Sequence, residues 1–442
     1  MTSHKKDNHK VLSAFLGIDV PDYGDILNCM HCGLCLPHCP TYSLTQLEKA
    51  NPRGRIALIK AVADGDLEIT EGFVNAMDFC LNCRACESAC PAGVKYGELQ
   101  EAARAQIEIS GFGTPWGKAF KSFMLGTVFT TKWMLSAIGY SLWLYEKTGV
   151  QWLVRKSRIL ELVVPKLAQM ESLSPTVQVP FSDKVLPEVI KPETAPRYKV
   201  GLLTGCIMNM IFADVNQDTA EVLVHNGCQV HVPKDQVCCG SLHGHNGDLK
   251  TARKLAKKNI DVFEREGIDY LVINSAGCGS FLKTYGHLLR EDKDYAEKAR
   301  KFEKKVVDVS EFLVKVGFET PKYPINVRVT YDDACHLLHG QKISQQPRDV
   351  IHSIPGLKFV ELQEASWCCG SAGIYNIVQY DASMEILDRK MENIKKTGAQ
   401  VILSGNPGCL VQLRHGVKRH NMEVKVLHPI TVLNKSYKNQ DL

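Results

Sequence analysis

The chain has 442 residues, 45% of them hydrophobic, and a formal net charge of +5. That length can bury more than one core and predicts two to four domains, while so small and dispersed a charge gives no argument for nucleic acid. With no Walker loop and no G-x-G-x-x-G, no nucleotide or flavin site is read from the chain.

Its 17 cysteines are too sparse for a small disulfide scaffold and too clustered for chance. The opening MTSHKKDNHKVLSAFLG is basic but has neither an apolar signal core nor a small-residue cleavage site. The expectation is a reducing, cytoplasmic setting in which clustered thiols are metal ligands rather than disulfides.

In chain order, NCMHCGLCLPHCP at residues 28–40 comes first, and FCLNCRACESACP at residues 79–91 repeats it. Cys29, Cys32, Cys35 and Cys39 precede Pro40, and Cys80, Cys83, Cys86 and Cys90 precede Pro91. This is the C-x2-C-x2-C-x3-C-P spacing of two-cluster bacterial ferredoxins. Three thiolates two residues apart let a tight loop wrap three corners of a cuboidal cluster, and the fourth is carried on to the other cluster. Cys29, Cys32, Cys35 and Cys90 are therefore expected to hold one 4Fe-4S cluster, and Cys80, Cys83, Cys86 and Cys39 the second. Gly33 and Ala85 are small residues between ligands, as close approach of backbone to sulfide favours. Zinc also takes four thiolates from C-x2-C pairs, but a zinc ribbon has no use for a third cysteine two residues on and a fourth before proline.

NPRGRIALIKAVADG opens the insert between the two runs, with Ile56, Leu58, Ile59 and Val62 at helical spacing. Arg53 and Arg55 on it would either hydrogen-bond cluster sulfides, steer an acidic partner, or form a solvated helix start. Residues 114–170 then change character, with tryptophans at 116, 133, 143 and 152 and only Lys132 charged between Phe123 and Tyr145. A helical docking surface for a partner subunit is the first expectation and a membrane-surface helix the second. A true span ranks third, because a charge near its middle is costly. The proline-punctuated residues 171–198 read as a linker.

From residue 198 a pattern occurs twice. YKVGLLTGC ends at Cys206, VCCG holds Cys238 and Cys239, and YLVINSAGC ends at Cys278. VRVTYDDAC ends at Cys335, WCCG holds Cys368 and Cys369, and QVILSGNPGC ends at Cys409. Equivalent cysteines are 129, 130 and 131 residues apart, which indicates duplication. Each outer cysteine follows an apolar β-type run, and an amphipathic helical stretch precedes each third run: DLKTARKLAKKNIDVFERE and ASMEILDRKMENIKK. Alternating strands and helices predict α/β units whose ligands gather beyond the carboxyl ends of the strands. Cys228, His243 and His336 have no counterpart in the other repeat, so Cys228 is read as a small buried hydrophobe and both histidines are set aside.

The twinned CCG pattern resembles the CCG domains of heterodisulfide reductase catalytic subunits and of anaerobic glycerol-3-phosphate dehydrogenase iron–sulfur subunits. The whole order resembles the glycolate oxidase iron–sulfur subunit, on CGLCLPHCPTY, NPRGRIALIK, CLNCRACESACPAGVKYGEL and GCGS. The implied fold is a multidomain α+β chain. A helical double-4Fe-4S module at 1–113 and a helical connector and linker at 114–197 are followed by CCG repeats at 198–320 and 321–442. The implied role is electron transfer from a flavin-containing subunit that oxidises glycolate to glyoxylate, with no substrate site on this chain and a membrane or quinone-side contact as a further expectation.

Heterodisulfide reductase repeats often end in C-x2-C, but here Gly279, Ser280 and Phe281 follow Cys278, and Leu410, Val411 and Gln412 follow Cys409. The missing fifth thiolates argue against thiol/disulfide chemistry. They leave Cys206, Cys238, Cys239 and Cys278, and Cys335, Cys368, Cys369 and Cys409, as two groups for a further iron–sulfur cluster, zinc or nothing permanent, in that order. A lactate or glycerol-3-phosphate dehydrogenase subunit is the rival within electron transfer, and a zinc-bearing scaffold the rival outside it.

Overall fold

The computed structural model describes residues 14–442; residues 1–13, within the stretch on which the missing export signal was read, lie outside the described residues. The chain forms two compact units, Met1–Gly113 with Gly244–Leu249, and Thr114–His243 with Lys250–Leu442.

Among its described residues the first unit is helical. The expected insert helix runs Pro52–Ala63, with the Asn51 side chain accepting from Gly54 N at 2.9 Å as its N-cap and proline at its first position. Ile56, Ile59 and Val62 point into a core that also contains Phe73, Met77 and Leu99, from helices Glu71–Asp78 and Tyr96–Ser110. Arg55 lies on the same buried face and has no exposed surface, so the solvated reading fails for it. Its guanidinium donates to the Ala76 carbonyl at 2.7 Å and the Thr41 hydroxyl at 3.1 Å. Arg53 stays at the surface, paired with Glu48 at 2.7 Å.

The second unit contains two sheets. In the first, β1 (Val189–Ile190), β2 (Tyr198–Leu202), β3 (Cys228–His231), β4 (Tyr270–Ile273) and β5 (Val306–Asp308) lie in the order β1-β3-β2-β4-β5. Only β1 is antiparallel to its neighbour. In the second, β6 (Arg328–Asp332), β7 (Lys358–Phe359), β8 (Val401–Ser404) and β9 (Lys425–Leu427) are parallel in the order β7-β6-β8-β9. Without β1 the two orders are the same, as duplication requires. The expected amphipathic helices form over Leu249–Glu266 and Tyr380–Thr397.

The halves meet about a pseudo-two-fold. Helix Ala213–His225 of the first repeat packs on Pro429–Tyr437 of the second, and Val309–Val316 packs on Gln345–His352. At the first contact Asp218 accepts from Thr431 Oγ1 at 2.6 Å and Asn434 Nδ2 at 2.7 Å. Val200 and Val272 of one sheet share a hydrophobic core with Val329 and Ile402 of the other.

Residues 171–198 are not a free tether. Phe181 and Ser182 are fully buried, and Val189–Ile190 adds the antiparallel edge strand. Their apolar positions cover the end of the first sheet, which proline spacing alone does not reveal. The connector before them forms helices Pro115–Phe123, Lys132–Lys147, Val150–Ser157 and Pro165–Ser172. Gly139 brings the second of these so close that a Cβ there would stand 2.7 Å from Phe181. No helix among the described residues is long and apolar enough to cross a membrane.

Against the second sheet, Lys390 Nζ of helix Tyr380–Thr397 stands 2.9 Å from Asp332 Oδ1 of β6, with side chains 0% and 2% exposed. Lys390 also donates to the Ala365 carbonyl at 2.8 Å, and Ser404 Oγ to Asp332 Oδ2 at 3.0 Å. Removing one partner strands a buried charge. Lys390→Met is therefore expected to lower stability by about 3–5 kcal/mol. Adding Asp332→Leu should recover most of that loss in chemical denaturation.

Candidate metal centres

In the first unit the two cysteine runs fold alike. His31 and Asn82, each two residues after the first cysteine of its run, have φ of +54° and +52°. Gly33 and Arg84, each following the second cysteine, have φ of +84° and +63°. Left-handed residues at these places curl the loop around a point and turn backbone N–H groups toward sulfur. Asn82 N donates to Cys80 Sγ at 3.3 Å, and the His31 backbone does the same for Cys29. The position equivalent to Gly33 is thus Arg84; Ala85 is the buried first residue of a short helix, Ala85–Ser88. Pro40 occupies the first position of helix Pro40–Thr45, with Cys39 as its N-cap.

Cys29, Cys32, Cys35 and Cys90 line one hollow, and Cys86 lines it as well. Burial pushes the Cys29 thiol up, and the nearby Cys90 and Cys32 add to it. Burial likewise raises Cys35, with Cys29 and Cys39 as neighbours. Cys86 is pushed well up by burial first, then by Cys83, Cys80 and Cys39. Cys80 goes the other way: its burial is outweighed by the Arg55 and Arg104 guanidiniums, with the Tyr96 hydroxyl 3.5 Å from its sulfur. Cys39 and Cys80 are buried, whereas Cys32 is exposed.

In the second unit, Cys206 and Cys278 follow β2 and β4, and Cys335 and Cys409 follow β6 and β8. These adjacent strand pairs flank the point where strand order reverses, where a crevice opens outside the carboxyl ends. The CCG turns reach the same place. Gly240 and Gly370 have φ of +87° and +88°, and a Cβ on Gly370 would stand 2.6 Å from the Ser383 carbonyl, so only glycine fits the turn. Their N–H groups donate to Cys238 Sγ at 3.4 Å and Cys368 Sγ at 3.5 Å.

Cys206 and Cys238 are 3.7 Å apart sulfur to sulfur. The Cys206 thiol donates to Cys238, so the proton stays on Cys206, whose value is raised, while Cys238 is held well below the usual range. Cys239 hydrogen-bonds both Cys238 and Cys278 and is pushed well up. In the second repeat Cys368 hydrogen-bonds Cys335 and Cys369, and Cys369 hydrogen-bonds Cys409; Cys368, Cys369 and Cys409 all lie well above the usual thiol range. Each repeat thus brings its four cysteines into one connected group.

Among the described residues, no set of three or more His, Cys, Asp or Glu side chains has the arrangement of a metal-ion site. The donors are nevertheless thiols gathered in groups, with N–H groups directed at sulfur, which suits soft iron–sulfur groups.

Two participants escaped the sequence. His243 Nε2 lies 2.8 Å from the Leu125 carbonyl, and the ring helps to hold the Cys238 thiol down. Repeat comparison set it aside because Gly373 occupies the equivalent place. Asn406 Nδ2 donates to Cys409 Sγ at 3.4 Å while its Oδ1 accepts from Gly277 N at 3.1 Å, beside Cys278. It therefore ties the edge of one thiol group to the other, and its only sequence signal is its place within SGNPGC. Cys228 lies fully buried in β3, where burial lifts its thiol to about 11.

Duplicated parallel α/β repeats with cysteines at their switch points, and a helical module with two ferredoxin-type loops, define an iron–sulfur electron-transfer protein. Family models agree: a 4Fe-4S dicluster domain matches residues 25–94, and the cysteine-rich CCG domain matches 200–283 and 329–414. The linker region of the glycolate oxidase iron–sulfur subunit matches residues 116–174. A probable glycolate oxidase iron–sulfur subunit of Bacillus subtilis is 40% identical, with 92% of each chain aligned. The glycolate oxidase iron–sulfur subunit of Escherichia coli is 29% identical over 90% of this chain and 92% of its own. Lactate utilization protein A of Bacillus subtilis is 31% identical over 53% of this chain and 99% of its own. The chain belongs to the glycolate oxidase iron–sulfur subunit family, whose 4Fe-4S clusters make it an oxidoreductase subunit that transfers electrons.

Because Cys228 stands apart from both thiol groups, Cys228→Ala should leave iron and acid-labile sulfide unchanged. Its expected cost is about 1–2 kcal/mol of stability, from a small core void, read by metal analysis and denaturation of the same preparation.

Proposed function

We propose that this chain is the electron-transfer subunit of a complex that oxidises glycolate to glyoxylate, taking electrons from a flavin-containing subunit and passing them to a downstream acceptor. The observation that carries the reading is the full-length agreement with two glycolate oxidase iron–sulfur subunits, together with the matched linker. The lactate-utilization relative aligns with only 53% of the chain, which makes lactate the second reading. Bound clusters supply reversible one-electron storage. The chain's own part is to hold them, set their surroundings and keep water from the inner sulfurs.

In this reading Cys29, Cys32, Cys35 and Cys90 ligate one cluster, and Cys39, Cys80, Cys83 and Cys86 the other. Residues 1–113, 114–197, 198–320 and 321–442 serve as cluster module, connector and two CCG repeats. Each repeat's four cysteines hold a further iron–sulfur group. Catalysis on glycolate belongs to the flavin subunit, and the complex works in the cytoplasm.

The connector is the docking surface. Trp116 is 87% exposed, Trp133 71%, Trp152 62% and Leu162 82%. Apolar area on that scale marks contact with another surface. A partner subunit is the first occupant and the cytoplasmic face of a membrane the second.

Crossed ligation makes a specific expectation. Cys39→Ser should damage the cluster associated with Cys80, Cys83 and Cys86 and spare the one nearer in sequence. Electron paramagnetic resonance of the reduced protein reads this, and loss of the signal assigned to Cys29, Cys32 and Cys35 alone would overturn the assignment. The docking role is tested by Trp116→Asp with Trp133→Asp. The double variant should keep its iron and lose co-purification with the flavin subunit; retained association with both that subunit and membranes would reassign the connector to ordinary surface.

A further inference from the structure

The two ferredoxin-type sites repeat in sequence but not in electrostatic surroundings. Beside Cys39 and Cys80 lies Arg55, entirely out of water. Its guanidinium is fixed by the Ala76 carbonyl at 2.7 Å and the Thr41 hydroxyl at 3.1 Å, and that hydroxyl lies 3.3 Å from the Cys39 sulfur. Arg104 adds a second cation, donating to the Cys80 carbonyl at 2.6 Å and the Met77 carbonyl at 3.0 Å. Two donors reach the Cys80 sulfur besides: Asn82 N at 3.3 Å and the Tyr96 hydroxyl at 3.5 Å.

Two carboxylates lie nearby, and beyond burial Glu87 helps push the Cys86 thiol up. Glu87 is held by Arg84 at 2.9 Å, and Glu101 by His245 at 2.8 Å. Among the described residues lining the hollow of Cys29, Cys32, Cys35 and Cys90, the one arginine or lysine is Arg53, which lies at the surface and is tied to Glu48.

We propose that Arg55, seconded by Arg104, makes the site of Cys39, Cys80, Cys83 and Cys86 the electron sink of the pair, so that electrons pass inward from the exposed site around Cys32. One electron leaves the reduced cluster at the outer site and reduces the oxidised cluster at the inner one; no bond is made or broken and no proton need move. Reduction adds one negative charge. A cation that cannot be screened by water stabilises that charge, whereas burial alone disfavours it. Arg55 is a positioning residue in this role: it acts on the ligand sulfurs through its charge. The inference rests on the ligand grouping proposed above.

The test is a redox titration of the whole protein, purified without oxygen with its clusters in place and followed by electron paramagnetic resonance. Cys32→Ser assigns the outer signal. In the wild-type protein the first electron should appear on the inner cluster. Arg55→Gln should reduce the equilibrium constant for outer-to-inner transfer at least tenfold, which is 59 mV for one electron. Arg55→Lys should retain most of it, at unchanged iron content.

A first electron on the outer cluster of the wild-type protein overturns the proposal whatever the variants do. So does Arg55→Gln moving both potentials equally or neither. If Arg55→Gln fails to assemble, Arg104→Gln carries the same expectation at a more accessible residue. Failure of the ligand grouping would look different, because Cys39→Ser would then damage the outer signal that Cys32→Ser identifies.

Discussion

Sulfurs gathered at one point carry like charge once they ionise, and the fold around each cysteine group supplies what makes that gathering tolerable. The ferredoxin-type loops use left-handed residues at His31, Gly33, Asn82 and Arg84 to bend tightly and present N–H groups. The CCG turns use Gly240 and Gly370 to the same end, each N–H directed at the sulfur two residues before it. In the first repeat the Cys206 thiol also donates to Cys238, so that fewer than four charges need coexist. Sequence spacing places the sulfurs, and backbone conformation lets them stay.

Duplication explains much of the second unit without making its halves the same. Strand orders match, helices exchange across the pseudo-two-fold, and Ala276 N donates to the Gly405 carbonyl between equivalent loops at 3.1 Å. Divergence gathers around the thiols. The first repeat places His243 on Cys238, while in the second Asp332 adds its negative charge to Cys369 and Cys409 and is itself held by Lys390. Two sites of one ancestry therefore sit in different electrostatic settings.

The connector follows another logic. Gly139 and Phe181 fix one helix to the second unit, while Trp116, Trp133 and Trp152 remain turned to solvent. These exposed tryptophans, with Phe120 and Leu162 beside them in the chain, are the ground on which the docking proposal stands.

The sequence by itself determined the eight ferredoxin-type cysteines, the eight CCG cysteines and the alternation that builds two parallel sheets. Those signals are local or periodic: a ligand loop must space its thiols within a few residues, and a duplicated unit keeps its offsets. Cys228 could be separated from the other cysteines for the same reason. Tertiary structure alone decided what lies beside those thiols. Arg53 and Arg55 are two residues apart on one helix, yet one faces Glu48 at the surface and the other is sealed against Cys39 and Cys80. Likewise His243 meets Cys238, Asn406 spans the two repeats, and the proline-marked residues 171–198 give up an edge strand rather than a tether. Such contacts join residues distant in the chain, and no spacing rule records them, because burial and charge at a point depend on every element that packs around it.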